Sequence, residues 1–484
     1  MTLKKQSVDG VTFAAVSHIG VSLLTLTQLL VLARLLTPSD FGLMGMLNLV
    51  LGLGSLFGDI GISSFIIHRQ EESPKVCSSL FWLSLISACG LCALIWAAHP
   101  WIERFYGEPR LQGLILCGAP LLLVIASGQT YQALLEKDLK FGFLAKLEVV
   151  ATAIGVLSAV LLALRSWGPY ALLGGAYANA ATKTAGLVLC GHKHWRPRFV
   201  FFWPAVKEAF GFGIRLLGQR GANYVTANVD FLLIGSFLGA RALGFYTLAY
   251  NIANLPSSKI NAIVSRVLFP AFSKIQDDGI RLKRGFLRMQ ELTSMINFPI
   301  LVGILIVAHL AIPTLLGASW DPAIPLLRIL SVVGLGRAVA GTVGPLLLAR
   351  GRTDLGLKWS LLIATIQVPG ILAGVLWGGV RGVAFSFAVL QTIYSILNYP
   401  LLIRNLIGPC LREYISTLWS ACWMSLCMAG FCWALIMTLS EMSDRLLLIV
   451  TVVSGSAVYL TLAWVLKRSR FSDLTQLILA RRIT

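Results

Sequence analysis

Apolar residues fill long stretches of this chain, and polar residues gather in the short segments between them. An α-helix needs about 20 mostly apolar residues to cross the hydrocarbon core of a bilayer. By that criterion the pattern predicts fourteen spans and therefore an all-α polytopic membrane protein. The predicted spans are residues 11–33, 41–67, 78–98, 113–135, 143–164, 169–190, 208–238, 243–271, 292–316, 322–349, 355–376, 382–403, 414–438 and 445–466.

Composition and charge agree with this assignment. Only 13% of the 484 residues are charged and 57% are hydrophobic, whereas soluble domains are about 25% charged. With the N-terminus inside the cell, 26 of the 40 Lys and Arg residues fall on cytoplasmic connections and tails. The positive-inside rule then predicts a multi-pass protein of the bacterial inner (plasma) membrane with both termini in the cytoplasm. Because the net charge of +19 reflects topology and attraction to lipid headgroups, we expect membrane lipids as partners and no nucleic acid.

The spans divide into two halves of six, followed by two more. A shift of 202 residues aligns RLLTPSDFGL (34–43) with SFLGARALGF (236–245), so that Leu36 meets Leu238 and Gly42 meets Gly244. A shift by an even number of spans keeps the orientation, which predicts a parallel pseudo-two-fold repeat of two lobes around a central cavity. The predicted domains are an N-lobe with spans 1–6 (1–199), a C-lobe with spans 7–12 (200–410), and spans 13–14 with a basic cytoplasmic tail (411–484).

Polar residues recur at helical spacing inside the predicted spans. On the seventh span, five of them follow one another at steps of 4, 4, 3 and 4 from Arg215 to Asp230, which places them on one helix face. A charge at the bilayer centre costs at least about 2.5–3.5 kcal/mol, so such groups normally face protein or water. We therefore expect an aqueous cavity that binds substrate. Its candidate residues are Lys183, Arg215, Gln219, Arg220, Asn223, Asp230, Asn254, Lys259, Arg266 and Arg337.

The charge of this cavity favours an anionic cargo. Seven basic residues but only three acidic ones lie within the spans, and guanidinium groups bind phosphate through paired hydrogen bonds. Several residues have a structural alternative. Lys259 and Arg328 can pair locally or reach the interface, Asp230 can neutralise a nearby arginine, and Glu148 can lie at the interface with Lys146.

Ion coupling is a second possibility for the polar residues nearest the N-terminus. His18 on span one and Asp59 on span two are the candidates, and a proton or sodium gradient is the corresponding energy source. For His18 a packing role is the alternative, and for Asp59 a helix-pairing role. The sequence shows no metal-binding cluster and no catalytic constellation, so we expect no resident cofactor or metal.

Four segments resemble a known family. RLLTPSDFGLMGM (34–46), GDIGISSFIIHRQE (58–71), NVDFLLIGSFLGARALGFYTLAYNI (228–252) and RVLFPAFSKIQDD (266–278) are similar to the Wzx-type, colanic-acid-exporter-like polysaccharide transporters. These belong to the multidrug/oligosaccharidyl-lipid/polysaccharide (MOP) exporter superfamily. The resemblance implies flipping of an undecaprenyl-pyrophosphate-linked oligosaccharide to the outer leaflet, with a polysaccharide polymerase and export machinery as further partners. Phe231 and Ser236 depart from the family pattern, which has Asn and Arg at these positions.

Three function classes follow from these observations. A flippase for a lipid-linked oligosaccharide repeat unit, serving exopolysaccharide or O-antigen-like synthesis by alternating access, fits the basic spans and the resemblance. A multidrug antiporter of the same superfamily fits less well, because exporters of cationic drugs need acidic cavities. A membrane polymerase or ligase fits least, because the longest outer connection (99–110) has no clear acid–base pair. We therefore expect a transporter and not an enzyme.

The cationic-cavity hypothesis predicts the behaviour of three variants. Replacing Arg215, Arg220 or Arg337 by Ala should reduce transport and leave membrane insertion intact, because each removes a positive charge that binds the cargo. Normal transport by all three variants, measured beside their abundance in the membrane, would show that the hypothesis is wrong.

Overall fold

The computed structural model describes residues 3–59, 73–192 and 195–466. Some side chains within its helices lie outside the description, namely those of residues 3–16, 18–19, 57–59, 205, 208–210, 212–220, 222, 262–263, 266–267, 269–270 and 353. The described residues are almost wholly helical and contain no strand. The predicted all-α class is therefore confirmed.

The helices follow one another with short connections. In chain order they are α1 (Leu3–Leu35), α2 (Pro38–Asp59), α3 (Pro74–Tyr106), α4 (Arg110–Gly118), α5 (Leu121–Lys137), α6 (Phe141–Leu164), α7 (Pro169–Gly191), α8 (Trp203–Lys274), α9 (Gly279–Leu315), α10 (Ala323–Ala340), α11 (Val343–Ala349), α12 (Thr353–Asn398), α13 (Arg404–Ile407), α14 (Leu411–Thr438) and α15 (Asp444–Leu466). A 3₁₀ turn (Ala318–Trp320) precedes α10, and a π-helix (Tyr399–Ile403) joins α12 to α13.

Ten helical segments among the described residues are long and apolar enough to cross a membrane. Two of them are the long helices α8 and α12, each of which contains two predicted spans. α8 bends at Gly239 (φ 78°) and α12 bends at Gly379 (φ 55°), and positive φ values of this kind are open to glycine at little cost. A multi-pass membrane protein is thus confirmed, whereas the predicted number of fourteen spans is not.

Two predicted spans are interrupted. The span predicted at 113–135 is divided between α4 and α5, which are separated by Ala119 and Pro120. Proline has no backbone N–H and is tolerated where a new helix begins. The span predicted at 322–349 is divided between α10 and α11 by Gly341 and Thr342.

The chain forms two compact units. Unit 1 comprises residues 1–248 and 366–383, and unit 2 comprises residues 249–365 and 384–484. In unit 1, α6 packs along α1 and α7, and Gly155 and Gly175 bring α6 and α7 close enough that each lies against the other's carbonyl oxygen. Small residues allow such close packing between membrane helices. In unit 2, α9 packs against α10, α14 and α15.

The two segments related by the 202-residue shift contact each other within unit 1. A Cβ atom added at Gly42 would overlap the carbonyl of Ala240, and a Cβ atom added at Gly244 would overlap the carbonyl of Pro38. The 202-residue shift relates residue 38 to 240 and residue 42 to 244. Replacing each residue by its counterpart therefore turns the contact between 42 and 240 into the contact between 244 and 38. This is the arrangement that a two-fold relation between the segments produces.

Residues 108–110, at the end of the connection between α3 and α4 and the start of α4, contact both of these segments. At the start of α2, Asp40 accepts hydrogen bonds from the backbone and hydroxyl of Thr37 (3.0 and 2.7 Å), and its Oδ1 accepts one from Arg110 (2.9 Å). After the bend at Gly239, the backbone N–H of Ala240 donates to Glu108 Oε1 (3.2 Å). Side chains thereby satisfy backbone donors that the beginning of a helix leaves unpaired.

The glycine contact predicts a difference in stability. Gly42→Ala should lower the free energy of unfolding by about 1–3 kcal/mol, because the new methyl group must push two backbones apart. Gly90→Ala is the matched control, since Gly90 is a helical glycine of α3 with no neighbouring atom within 4 Å of the added Cβ. Thermal unfolding of the detergent-solubilised proteins measures both. Equal stability of the two variants would contradict the close contact.

Candidate functional site

Unit 1 contains a polar pocket among α1, α2, α5, α6 and α7, with a volume of about 540 Å³. Five carboxamide side chains from four helices reach its wall. Its polar lining residues are Gln28, Asn48, Gln129, Gln132, Thr152, Asn179, Lys183 and Thr184. Glycine and alanine residues line the same space, at positions 128, 155, 175, 176 and 180.

Helical spacing explains why these polar groups meet. Gln129 and Gln132 are three residues apart on α5, and Asn179 and Lys183 are four residues apart on α7, so each pair shares a helix face. Thr184 of α7 donates its hydroxyl hydrogen to the carbonyl oxygen of Val124 in α5 (3.0 Å), which shows that the two helices lie close together. The packing of α5 on α7 thereby directs both faces into one pocket.

Lys183 forms an ion pair with Glu148 of α6. The Lys183 Nζ and Glu148 Oε2 atoms are 2.8 Å apart, with side chains 31% and 41% exposed. From the sequence, Lys183 is expected to contribute to an excess of positive charge, and Glu148 can lie at the interface with Lys146. The structure instead brings Glu148 to Lys183, since α6 and α7 pack side by side. The charge of Lys183 is therefore balanced within unit 1.

Two of the carboxamides differ in their protein contacts. Gln132 donates to Glu136 Oε1, one turn further along α5 (2.8 Å). The Oε1 atom of Gln129 is buried, and no donor among the described residues reaches it. A buried amide oxygen without a donor is costly, so Gln129 is the lining group with the most to gain from a bound molecule.

Asp230 lies in the interior of unit 1. The sequence predicts this residue on an aqueous cavity, but it is 0% exposed and its Oδ2 atom accepts a hydrogen bond from the Tyr246 hydroxyl (2.5 Å). Tyr246 follows the bend at Gly239, which folds the chain back beside Asp230. Asn223, two turns earlier on the same predicted stripe, is exposed. Residues of one predicted stripe thus differ in this conformation: Asp230 lies in the protein interior and Asn223 lies on the surface.

Arg337 on α10 lies at the centre of a polar cluster in unit 2. Its Nη1 atom donates to Tyr250 Oη (2.8 Å) and to Asn254 Oδ1 (2.7 Å). The guanidinium carbon also lies 5.1 Å from the ring centre of Tyr250 and 5.3 Å from that of Phe387, distances at which a cation is attracted to an aromatic face. Asn254 and Arg337, both predicted site residues, are therefore brought together by direct hydrogen bonds.

The face of α8 that carries Tyr250 and Asn254 packs against α10. Ser257 donates to the carbonyl of Gly334 (3.0 Å), and Asn261 donates to the carbonyl of Arg337 (3.3 Å). Lys259 is half-buried, and Arg328 is exposed near the start of α10.

The remaining predicted residues lie outside the described side chains. They are His18, Asp59, Arg215, Gln219, Arg220 and Arg266. Their roles in cargo binding or ion coupling stay predictions. The described residues contain no group of three or more His, Cys, Asp or Glu side chains that could hold a metal ion.

Sequence reasoning missed most of the pocket in unit 1. Gln28, Asn48, Gln129 and Gln132 are uncharged, and a search for intramembrane charges passes over them. The i, i+3 spacing of Gln129 and Gln132 within an apolar span is the signal that was available.

Comparison with known proteins gives relatives along most of the chain. The profile of a family described as "Polysaccharide biosynthesis protein" matches residues 31–325. Lipopolysaccharide biosynthesis protein WzxC of Escherichia coli (strain K12) is 33% identical over 428 residues, which cover 88% of this chain and 87% of that protein. Teichuronic acid biosynthesis protein TuaB of Bacillus subtilis (strain 168) is 30% identical over 417 residues, covering 86% and 84%.

A solved structure shares the fold. The lipid II flippase MurJ in an inward closed conformation matches with a TM-score of 0.76 over 94% of this chain and 99% of that chain, at 14% sequence identity. At this identity the likeness shows the fold alone.

The Asp230–Tyr246 contact predicts a loss of stability on removal of one hydroxyl. Tyr246→Phe should lower the free energy of unfolding by about 1–3 kcal/mol, because a buried carboxyl group loses a hydrogen-bond donor. Ser236→Ala, on the same helix, removes a hydroxyl whose hydrogen bonds among the described residues go to its own helix backbone. This change should alter stability by less than about 0.5 kcal/mol. Thermal unfolding in detergent compares the two, and an unchanged Tyr246→Phe variant would contradict the contact.

Proposed function

The chain belongs to the polysaccharide biosynthesis protein family, and from that premise we propose that it flips a lipid-linked oligosaccharide across the bacterial inner membrane. The cargo in this proposal is an undecaprenyl-pyrophosphate-linked repeat unit, which moves from the cytoplasmic to the outer leaflet. There it becomes available to a polymerase and export machinery for surface polysaccharide synthesis. Both chain termini lie in the cytoplasm in this topology.

The observation that carries the proposal is the set of polar groups held inside membrane-spanning helices. A hydroxyl-rich headgroup crossing the hydrocarbon loses its water and needs hydrogen-bonding partners along the way. The pocket of unit 1 supplies carboxamides from four helices, and the cluster of unit 2 supplies a guanidinium group. A transporter of an apolar compound would have no use for them, since each is costly to keep in a membrane.

Arg337 is the residue that we propose to bind the pyrophosphate. Tyr250 and Asn254 are uncharged acceptors, and a phosphate oxygen forms a stronger hydrogen bond with guanidinium than they do. An entering pyrophosphate can therefore replace them, and they hold the guanidinium in position until it arrives.

The membrane potential assists movement of such an anion outward. Transfer of one elementary charge across 100 mV is worth about 2.3 kcal/mol, and the direction from an inside-negative cytoplasm is favourable. We propose that ion coupling through His18 or Asp59 adds to this drive.

A deletion strain that still makes the sugar precursors tests the proposal. The polyprenyl-linked oligosaccharides are extracted, and the leaflet that holds them is determined. We expect complete single repeat units trapped on the cytoplasmic face and loss of surface polymer. Normal units on the outer face without polymer would indicate a polymerase instead, and an unchanged pool would overturn the proposal.

Arg337 variants expressed in that strain give a quantitative prediction. Arg337→Ala should reduce surface polymer at least about tenfold, because the loss of a charge-assisted hydrogen bond of about 1.5–3 kcal/mol corresponds to a factor of ten or more. Arg337→Lys keeps the charge but loses the planar fork, so we expect an intermediate value.

Arg328→Ala is the matched control for these variants. Arg328 lies on the same helix and is exposed, so its removal should leave polymer production within about twofold of the parent. Equal membrane abundance of all variants is checked by immunoblotting. Normal production by Arg337→Ala would contradict the role of this residue.

A further inference from the structure

We propose that the polar pocket of unit 1 binds an uncharged, hydroxyl- or acetamido-bearing sugar of the cargo headgroup. This inference rests on the proposed function and adds a role for each unit to it. Unit 1 binds the sugar, and Arg337 of unit 2 binds the pyrophosphate.

The chemistry of the lining is that of a sugar site. Each carboxamide offers both a donor and an acceptor, which matches hydroxyl and acetamido groups that also donate and accept. Five such side chains converge from α1, α2, α5 and α7, and apolar residues such as Leu121, Val156 and Leu172 complete the wall. The C–H faces of a sugar ring fit against apolar groups of this kind.

The charge of the pocket argues against a phosphate. Among the described residues that line the pocket, Lys183 is the one with a charge, and its Nζ atom lies 2.8 Å from Glu148. A phosphate entering the pocket would have to displace a carboxylate from that lysine or lie beside it. An uncharged sugar meets neither obstacle, and Lys183 can still donate to a hydroxyl group because an ammonium has three donors.

The hydrogen bonds within the lining show which groups a ligand would use. The hydroxyls of Thr152 and Thr184 already donate to helix carbonyls, and Gln132 donates to Glu136. Gln129 Oε1, by contrast, is buried without a donor among the described residues. Asn179 faces the pocket one turn before Lys183. We therefore assign Gln129 and Asn179 as the principal sugar-binding residues.

The size of the pocket agrees with this ligand. Small-molecule sites in proteins typically measure about 300–1,000 Å³, and about 540 Å³ is available here. Gly128, Gly155 and Gly175 line the pocket, and a Cβ atom added at any of them would meet a neighbouring helix. The pocket thus holds a short saccharide but not a whole polymer.

A binding experiment tests the assignment directly. The probe is the oligosaccharide released by mild acid from the cell's own lipid-linked precursor, which carries neither lipid nor pyrophosphate. Saturation-transfer NMR on the full-length protein in detergent measures its affinity. We expect binding by the parent protein, at least tenfold weaker binding by Gln129→Met and Asn179→Leu, and no competition from inorganic pyrophosphate.

The control is Gln112→Leu, which removes an exposed carboxamide of α4 outside the pocket and should bind the probe as the parent does. Thermal unfolding verifies that each variant is folded. Two separate pocket variants are used so that the test remains valid if one of them does not fold. Undiminished binding by both folded variants would overturn the inference, as would competition by pyrophosphate that disappears in Lys183→Gln.

The same variants in the leaflet experiment separate this inference from the proposed function. If the parent moves the precursor and both folded pocket variants also move it normally, the sugar site is refuted and the flippase proposal stands. If the parent itself leaves the precursor distribution unchanged, the proposed function fails.

Discussion

The hydrocarbon core of a membrane offers no hydrogen-bonding partner, so partners for polar groups that lie there must come from the chain. Helices meet this requirement for the backbone, and the described residues are helical almost throughout. Where a helix bends or begins, side chains accept hydrogen bonds from the backbone N–H groups that have no partner within the helix. Asp40 caps the start of α2, and Glu108 accepts the backbone N–H that follows the bend at Gly239. Because Arg110 at the start of α4 also donates to Asp40, residues 108–110 contact both halves of the repeated contact.

The same requirement groups the polar side chains inside each unit. The Oδ2 atom of Asp230 accepts a hydrogen bond from Tyr246, and Lys183 pairs with Glu148. Arg337 donates to the oxygens of Tyr250 and Asn254 and lies beside two aromatic rings. These arrangements differ in what they offer a passing headgroup. In the proposed function, the carboxamides around the Lys183–Glu148 pair bind the sugar and the Arg337 guanidinium binds the phosphate. Polar residues that are costly in a membrane are thus accounted for by the proposed cargo.

The helical class and the positions of most spans could be predicted from the sequence, because each depends on local composition and spacing. Gly42 and Gly244, which the 202-residue shift aligns, each lie against a backbone carbonyl of the other segment. The partners of the polar residues could not be predicted in this way. Glu148 meets Lys183 only because α6 packs on α7, and Asp230 is buried only because the bend at Gly239 returns Tyr246 to it. Helical periodicity identifies a shared face but not what that face contacts.

The central claim is that this chain by itself moves a lipid-linked oligosaccharide between leaflets, and reconstitution tests it most directly. Purified protein is inserted into liposomes that carry the undecaprenyl-pyrophosphate oligosaccharide in both leaflets, and a membrane-impermeant reagent that modifies the sugar is added outside. The account predicts that the inner-leaflet sugar also becomes modified, whereas protein-free liposomes protect it. Continued protection in liposomes with folded protein, followed by full modification once detergent is added, would contradict the account.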